Sequence, residues 1–251
     1  MKSPTQHRSG FVAILDALGA AAYGKSEINR FMKSRDIVLR LAQEKAETML
    51  NVDLLSIFTF NDTIVFALQS ENDKPDIEEA DAFFLLLRKF IVDSLQNGIL
   101  FRGAIALGTF YADAATNTVM GEAVTDAASW YAKASWIGVH ATPRSTIYLE
   151  SLLEEEQKKR NYSMVDYSVP MKEGSAVRLK VVNWPKALFT ATVPGELRSS
   201  PRATVMRWFG HQPVPIGSEE KCFNAIAFFD EIVKKQKLVP KLPKAPRGQS
   251  G

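Results

Sequence analysis

The chain has 251 residues, 46% of them hydrophobic, enough to bury a sizeable core, so one large domain with appendages is expected. A formal net charge of +3 is too small at this length to predict nucleic-acid binding by itself. Cys222 is the single cysteine, which excludes an intrachain disulfide and fits a reducing compartment. Residues 1–8 lack the apolar run of a signal peptide, and no segment approaches the ~20 apolar residues of a membrane span. A cytoplasmic protein without membrane contact is the expectation.

In chain order, Phe11–Leu15 is a short apolar run bounded by Ser9-Gly10 and Gly19, and reads as a buried strand. Ser26 is placed to cap a helix over 27–50, with Ile28, Phe31, Ile37, Leu41 and Met49 roughly on one face. Asp53–Phe60 and Thr63–Leu68 read as a hairpin turning at Asn61-Asp62, since Asn and Asp tolerate turn dihedrals. A second amphipathic helix spans 76–96 and stops at Asn97-Gly98; Phe101–Phe110 is a fourth strand. This β-α-β-β-α-β order predicts an α+β, ferredoxin-like core. Further on, 121–135 and 146–160 read as helices, 136–139 as a short strand or turn, 163–169 and 176–184 as strands, and 223–235 as a terminal helix. The stretch 237–251 is basic and proline-rich without apolar periodicity, and is expected to be disordered.

Two carboxylates stand out against this pattern. Asp16 ends the first apolar run, and Asp62 sits in the hairpin between two apolar halves. With strand order 4-1-3-2, the end of strand one lies beside the start of strand three, which brings Asp16 and Asp62 together. Burying a carboxylate at a strand end costs several kcal/mol unless a cation or donors meet it. Two of them aimed at one place suggest a divalent metal site, because hard cations take oxygen ligands. The alternatives are a helix N-cap for Asp16 and a turn residue for Asp62.

The local spelling resembles the class III nucleotidyl cyclases. Asp16-Ala17-Leu18-Gly19-Ala20 resembles their Asp-Ile-x-Gly-Phe signature, and Phe60-Asn61-Asp62 their second-aspartate turn. Arg102–Gly108 resembles an Arg-x-Gly-x-x-x-Gly strand, and the run from Gly121 to Ala128 a Gly-Asp-x-Val-Asn-x-Ala-Ser helix start. The match is collinear over roughly 11–140. It implies a cyclase domain over 11–235, an extension over 1–10 and a tail over 236–251. Polymerase palms and diguanylate cyclases share the core, but the Gly-Gly-Asp/Glu-Glu-Phe hairpin of the latter is missing.

The departures from that family are specific. Phe58 stands where adenylyl cyclases carry an adenine-reading Lys, and Thr118 where they carry the adenine-reading Asp. Thr125 replaces the transition-state Asn and Ser129 the transition-state Arg. A bulky Phe58 would shrink a purine pocket and offer a stacking face. With Trp136-Ile137-Gly138 after the helix, the chain is similar to the bacterial pyrimidine cyclases of the Pycsar antiphage systems. That resemblance implies UTP as substrate, cyclic UMP as product and a separate effector protein that senses it; CTP is the close alternative.

The expected reaction is attack of a 3′-hydroxyl on the α-phosphate with loss of pyrophosphate, where positioning and electrostatics dominate. Two divalent ions, Mn²⁺ or Mg²⁺, are expected on Asp16, Asp62 and the Ala17 carbonyl. The amides of Leu18, Gly19, Ala20 and Ala21 are candidates to cradle the triphosphate. Arg102 is the substitute for the missing transition-state cation, and Lys180 a candidate for the β- and γ-phosphates. Phe58, Thr118 and Thr125 are the candidate base-side residues. The resemblance also implies a head-to-tail homodimer with shared sites. The competing readings are a cyclase fold that binds nucleotide without turnover, and an RNA-binding protein using its basic tail.

Overall fold

The computed structural model describes residues 8–20, 23–72, 74–153, 163–190, 200–210 and 217–239. Its first six elements are β1 (Arg8–Ala17), α1 (Lys25–Ala46), β2 (Leu55–Phe60), β3 (Thr63–Gln69), α2 (Ile77–Gln96) and β4 (Phe101–Asp113). They form an antiparallel sheet in the order β2-β3-β1-β4, the predicted ferredoxin-like arrangement, so the fold class is α+β. β1 starts earlier than its apolar run, with Arg8 opposite Phe110. Residues 8–10 are therefore rungs of the central ladder and not part of an extension.

The chain then enlarges the sheet. β5 (Thr118–Met120) folds back on β4, and α3 (Glu122–Tyr131) crosses over to β6 (Gly138–Ala141), which pairs parallel to β4. After α4 (Pro143–Leu152) come β7 (Met164–Pro170) and β8 (Ala176–Val182), giving the order β2-β3-β1-β4-β6-β8-β7. Three helices complete the described fold: α5 (Trp184–Ala187), α6 (Pro201–Gly210) and α7 (Glu219–Lys235). Thr142 caps α4 through the Ser145 amide with Pro143 in its first turn, so this helix starts before the predicted residue 146. The predicted stretch 154–160 lies outside the described residues, as do 240–251 of the tail. Residues 236–239 continue from α7, with the Leu238 amide donating to the Val233 carbonyl at 3.0 Å. β5, α5 and α6 are not among the elements expected from the sequence and are added by the structure. Among the described residues, no helix is long and apolar enough to cross a membrane.

Alternation along β1 sorts the core into two faces. Phe11, Ala13 and Leu15 pack with Phe66, Phe83, Phe84, Leu87 and Phe90 under α1 and α2. Val12 and Ile14 face the other way, with Phe58, Val65, Ala106 and Phe110 beneath Ala123 and Ala127 of α3. The next residue in that second register is Asp16, which therefore emerges at the rim of the α3 face.

One polar group inside this core has a pH signature. His140 in β6 sits between Ala104 of β4 and Val181 of β8, is fully buried, and has no partner on either ring nitrogen among the described residues. Burial drives its pKa down to about 3. The unfolded chain, with an imidazole pKa of ~6.5, binds a proton between those values that the folded chain does not. Stability is thus lost as pH falls through that window, by up to about 1.4 kcal/mol per pH unit. Urea unfolding at pH 7.5 and 5.5 should show this slope in the wild type and a clearly smaller one in His140→Leu.

Candidate active site

The β1–β3 register pairs Asp16 with Thr63, so Asp62 is one residue past the partner. From strand spacings of ~4.8 Å and ~3.4 Å, the two Cα atoms lie roughly 6 Å apart. Asn61 turns the hairpin with φ 54, a left-handed conformation Asn tolerates well. The turn is tied down by the Ala17 amide, which donates to the Asp62 carbonyl at 3.1 Å, and by Arg35 Nη1, which donates to the Asn61 carbonyl at 3.4 Å. The Asp62 carboxylate itself has no hydrogen-bond partner among the described residues. It borders an open pocket of about 430 Å³ lined by Ala20, Tyr23, Ile28, Phe31 and Met32.

Asp16 is held differently. Arg102 lies directly opposite it on β4. Arg102 Nε and Nη2 both donate to Asp16 Oδ2, at 2.9 and 2.8 Å. The guanidinium carbon also lies 5.5 Å from the centroid of the Tyr131 ring, a cation–π contact. Ala123, Ala127 and Tyr131 are four residues apart on α3, so two small side chains let the helix lie close to the sheet and the third reaches its rim. The Tyr131 hydroxyl is pushed up by burial and by the carboxylates of Asp16 and Asp62, against the pull of Arg102. Tyr131 had the sequence signature of a core aromatic; its spacing from Ala123 and Ala127 was the available clue.

A second cation was not foreseen. Lys172, in the turn between β7 and β8, has its ammonium pKa lowered by burial and by the positive charges of Arg102 and Lys221, with Asp16 opposing. Its amide donates to the Lys133 carbonyl just past α3 at 2.9 Å. No motif marks Lys172, because only the bridge between Ala134 and Met171 brings that turn beside the end of α3.

Several expected contributors are placed elsewhere. Lys180 is on the opposite face of the sheet, 6% exposed, with its ammonium bound to Glu150 and to Asp166 at 2.9 Å. Those two carboxylates neutralise it, so it does not reach a phosphate at this rim. The Leu18 amide donates to the Leu100 carbonyl at 2.8 Å and is spent on the sheet. Gly19, with φ 84, and Ala20 remain in the turn, and Ala21 lies outside the described residues. Phe58 is 1% exposed, packed under α3 and the β4–β5 hairpin, so its ring offers a base almost no surface. Thr118 bonds within that hairpin to Thr116, and Thr125 Oγ1 donates to the Gly121 carbonyl at 3.1 Å. Neither joins the rim.

No family model matches the sequence, and no curated protein matches it. Among solved structures, the chain is similar to the crystal structure of the adenylyl cyclase CyaB from P. aeruginosa. The identity is 12%, the TM-score 0.41, and the match covers 70% of this chain and 94% of that one. The fold assignment stands on the strand order itself.

The unequal surroundings of the two carboxylates make a stability prediction. Asp16→Asn should cost about 1–2 kcal/mol, because a half-buried guanidinium loses its counter-charge. Asp62→Asn should stay within about 0.5 kcal/mol of wild type in denaturant unfolding. Phe58→Ala is expected to cost about 3–5 kcal/mol as a core cavity. A Phe58→Ala variant of wild-type stability would show that this side chain is not in the core.

Proposed function

We propose that this protein is a nucleotidyl cyclase that closes a nucleoside triphosphate to its 3′,5′-cyclic monophosphate with release of pyrophosphate, UTP being the substrate. The observation that carries the reading is the arrival of Asp16 and Asp62 at one rim from neighbouring strands, with Arg102 fixed beside them. The motif resemblances in collinear order add to it.

The donors at this rim fit a hard divalent cation. Asp16 keeps Oδ1 apart from its arginine contact, and the Asp62 carboxylate is unpaired among the described residues. With the Ala17 carbonyl these would be all-oxygen ligands for Mg²⁺ or Mn²⁺. Such an ion, when bound, lowers the pKa of a coordinated hydroxyl and offsets phosphate charge. The remaining work falls to the chain. Gly19 lets the backbone come close to a phosphate, since no Cβ intervenes. Arg102 and Lys172 place two positive charges beside the carboxylates, where a triphosphate would otherwise be repelled. Tyr131 keeps the guanidinium oriented, so little reorganisation is required as charge builds on the α-phosphate.

The pyrimidine preference is supported by the absence of the adenine-reading Lys and Asp, whose positions hold Phe58 and Thr118. Because Phe58 is a core residue, steric exclusion by its ring is not part of the argument. The choice of UTP over CTP, the head-to-tail homodimer, and a product-sensing effector protein in antiphage defence follow from the resemblance to Pycsar cyclases.

The test is to incubate the purified protein with each ribonucleoside triphosphate and Mn²⁺ and identify products by mass. Cyclic UMP should dominate, and Asp62→Asn should lower its formation at least a hundredfold while the fold persists. Equal turnover of ATP would end the pyrimidine assignment and leave the cyclase. Nucleotide binding without pyrophosphate release would instead identify an inactive binding module.

A further inference from the structure

We infer that Arg102 occupies the place of one of the two expected cations, so that the site takes a single divalent ion, shared by Asp16 Oδ1 and Asp62. The inference rests on the proposed function and refines it. Both Arg102 nitrogens converge on the same oxygen, Asp16 Oδ2, at 2.8 and 2.9 Å. A second ion with an Asp16 oxygen of its own would need Oδ2, which already accepts both arginine bonds.

Arg102 is poorly placed to yield it. Its backbone is fixed opposite Asp16 by the β1–β4 ladder, its side chain is only 18% exposed, and Tyr131 covers its other side. A guanidinium keeps its charge at any pH the protein meets, so it is a permanent cation, unlike an exchangeable ion. A second divalent ion next to it would meet like charge in a partly desolvated rim. Two carboxylates, one divalent ion and Arg102 already leave one positive charge facing the triphosphate, with Lys172 adding another.

Tyr131 acts in this arrangement as a positioning residue. It touches Arg102, not the ion, and limits the directions in which the guanidinium can swing.

The experiment counts Mn²⁺ by electron paramagnetic resonance in the presence of 3′-deoxy-UTP, which lacks the attacking hydroxyl. The wild type should bind one Mn²⁺ per nucleotide, and Arg102→Met two, because Oδ2 is released. Arg102→Lys keeps the charge and should stay at one. Tyr131→Leu should admit a second ion at least tenfold more weakly than Arg102→Met does. Two ions on the wild type, or one on a folded Arg102→Met, overturns the inference and leaves the cyclase reading intact. If Arg102→Met does not fold, the wild-type count decides. Saturable Mn²⁺ binding without 3′-deoxy-UTP binding removes the substrate assignment, and the count is then taken with inorganic pyrophosphate. No saturable Mn²⁺ under either condition overturns inference and metal reading together.

Discussion

The candidate site depends on one cross-strand pairing, Asp16 against Arg102 at the end of the β1–β4 ladder. Both residues sit in the register whose interior members are Val12, Ile14, Ala104 and Ala106. A slip of one residue would send Val12 and Ile14 toward the aromatic layer under α2 and carry Asp16 with them. The core therefore fixes the pairing, not the reverse. A partly buried ion pair of this kind contributes modestly to folding, because desolvation offsets most of the attraction. Its consequence is positional: it decides which oxygen of Asp16 stays available.

The two faces of the sheet divide the work. Beneath α1 and α2 lie most of the large aromatic side chains, including Phe11, Phe66, Phe83, Phe84, Phe90 and Phe101. The α3 face is built thinner over β1, with Ala106, Ala123 and Ala127 at the contact. Small side chains bring the helix close, and closeness lets Tyr131 cover Arg102. A polar chain holds the helix in that position. Thr142 Oγ1 donates to Asp126 Oδ2 at 2.7 Å, so the Ser145 hydroxyl must donate to Thr142, and Ser145 Oγ accepts the Leu107 amide at 2.8 Å. Each hydroxyl hydrogen is used once, and α3, α4 and β4 are joined through buried groups.

Local patterning was enough to reach the core. Period-two and helical spacings gave the six elements, and their order implied the adjacency of β1 and β3, hence of Asp16 and Asp62. The misplacements share one cause, which is that the side a residue faces depends on pairing partners distant in sequence. Phe58 is placed beside the base only by the cyclase resemblance, which fixes its position along the hairpin and not the side it faces. What covers it, the β4–β5 hairpin reaching back until Asn117 Nδ2 donates to the Thr59 carbonyl, belongs to a segment almost 60 residues on. By sequence Lys180 is a candidate for the β- and γ-phosphates, but the pairing of Val181 with His140 sets its parity toward α4 and Glu150. Lys172 escaped notice for the same reason in reverse.

Asp16 and Asp62 then differ in what the fold asks of them. Asp16 balances a guanidinium that Tyr131 and the sheet hold in place, so removing its charge disturbs the structure. Asp62 makes no such contact among the described residues, and its backbone, through Ala17 and the hairpin, does the structural part. A half-buried carboxylate beside Tyr23, Phe31 and Met32 gains nothing for folding that asparagine would not also give, since Asn fits the same turn. Its charge helps to raise the hydroxyls of Tyr23 and Tyr131, which stay neutral and supply no counter-charge. The negative charge of Asp62 thus has no counter-ion among the described residues, and under the proposed function a cation brought with the substrate would be its partner.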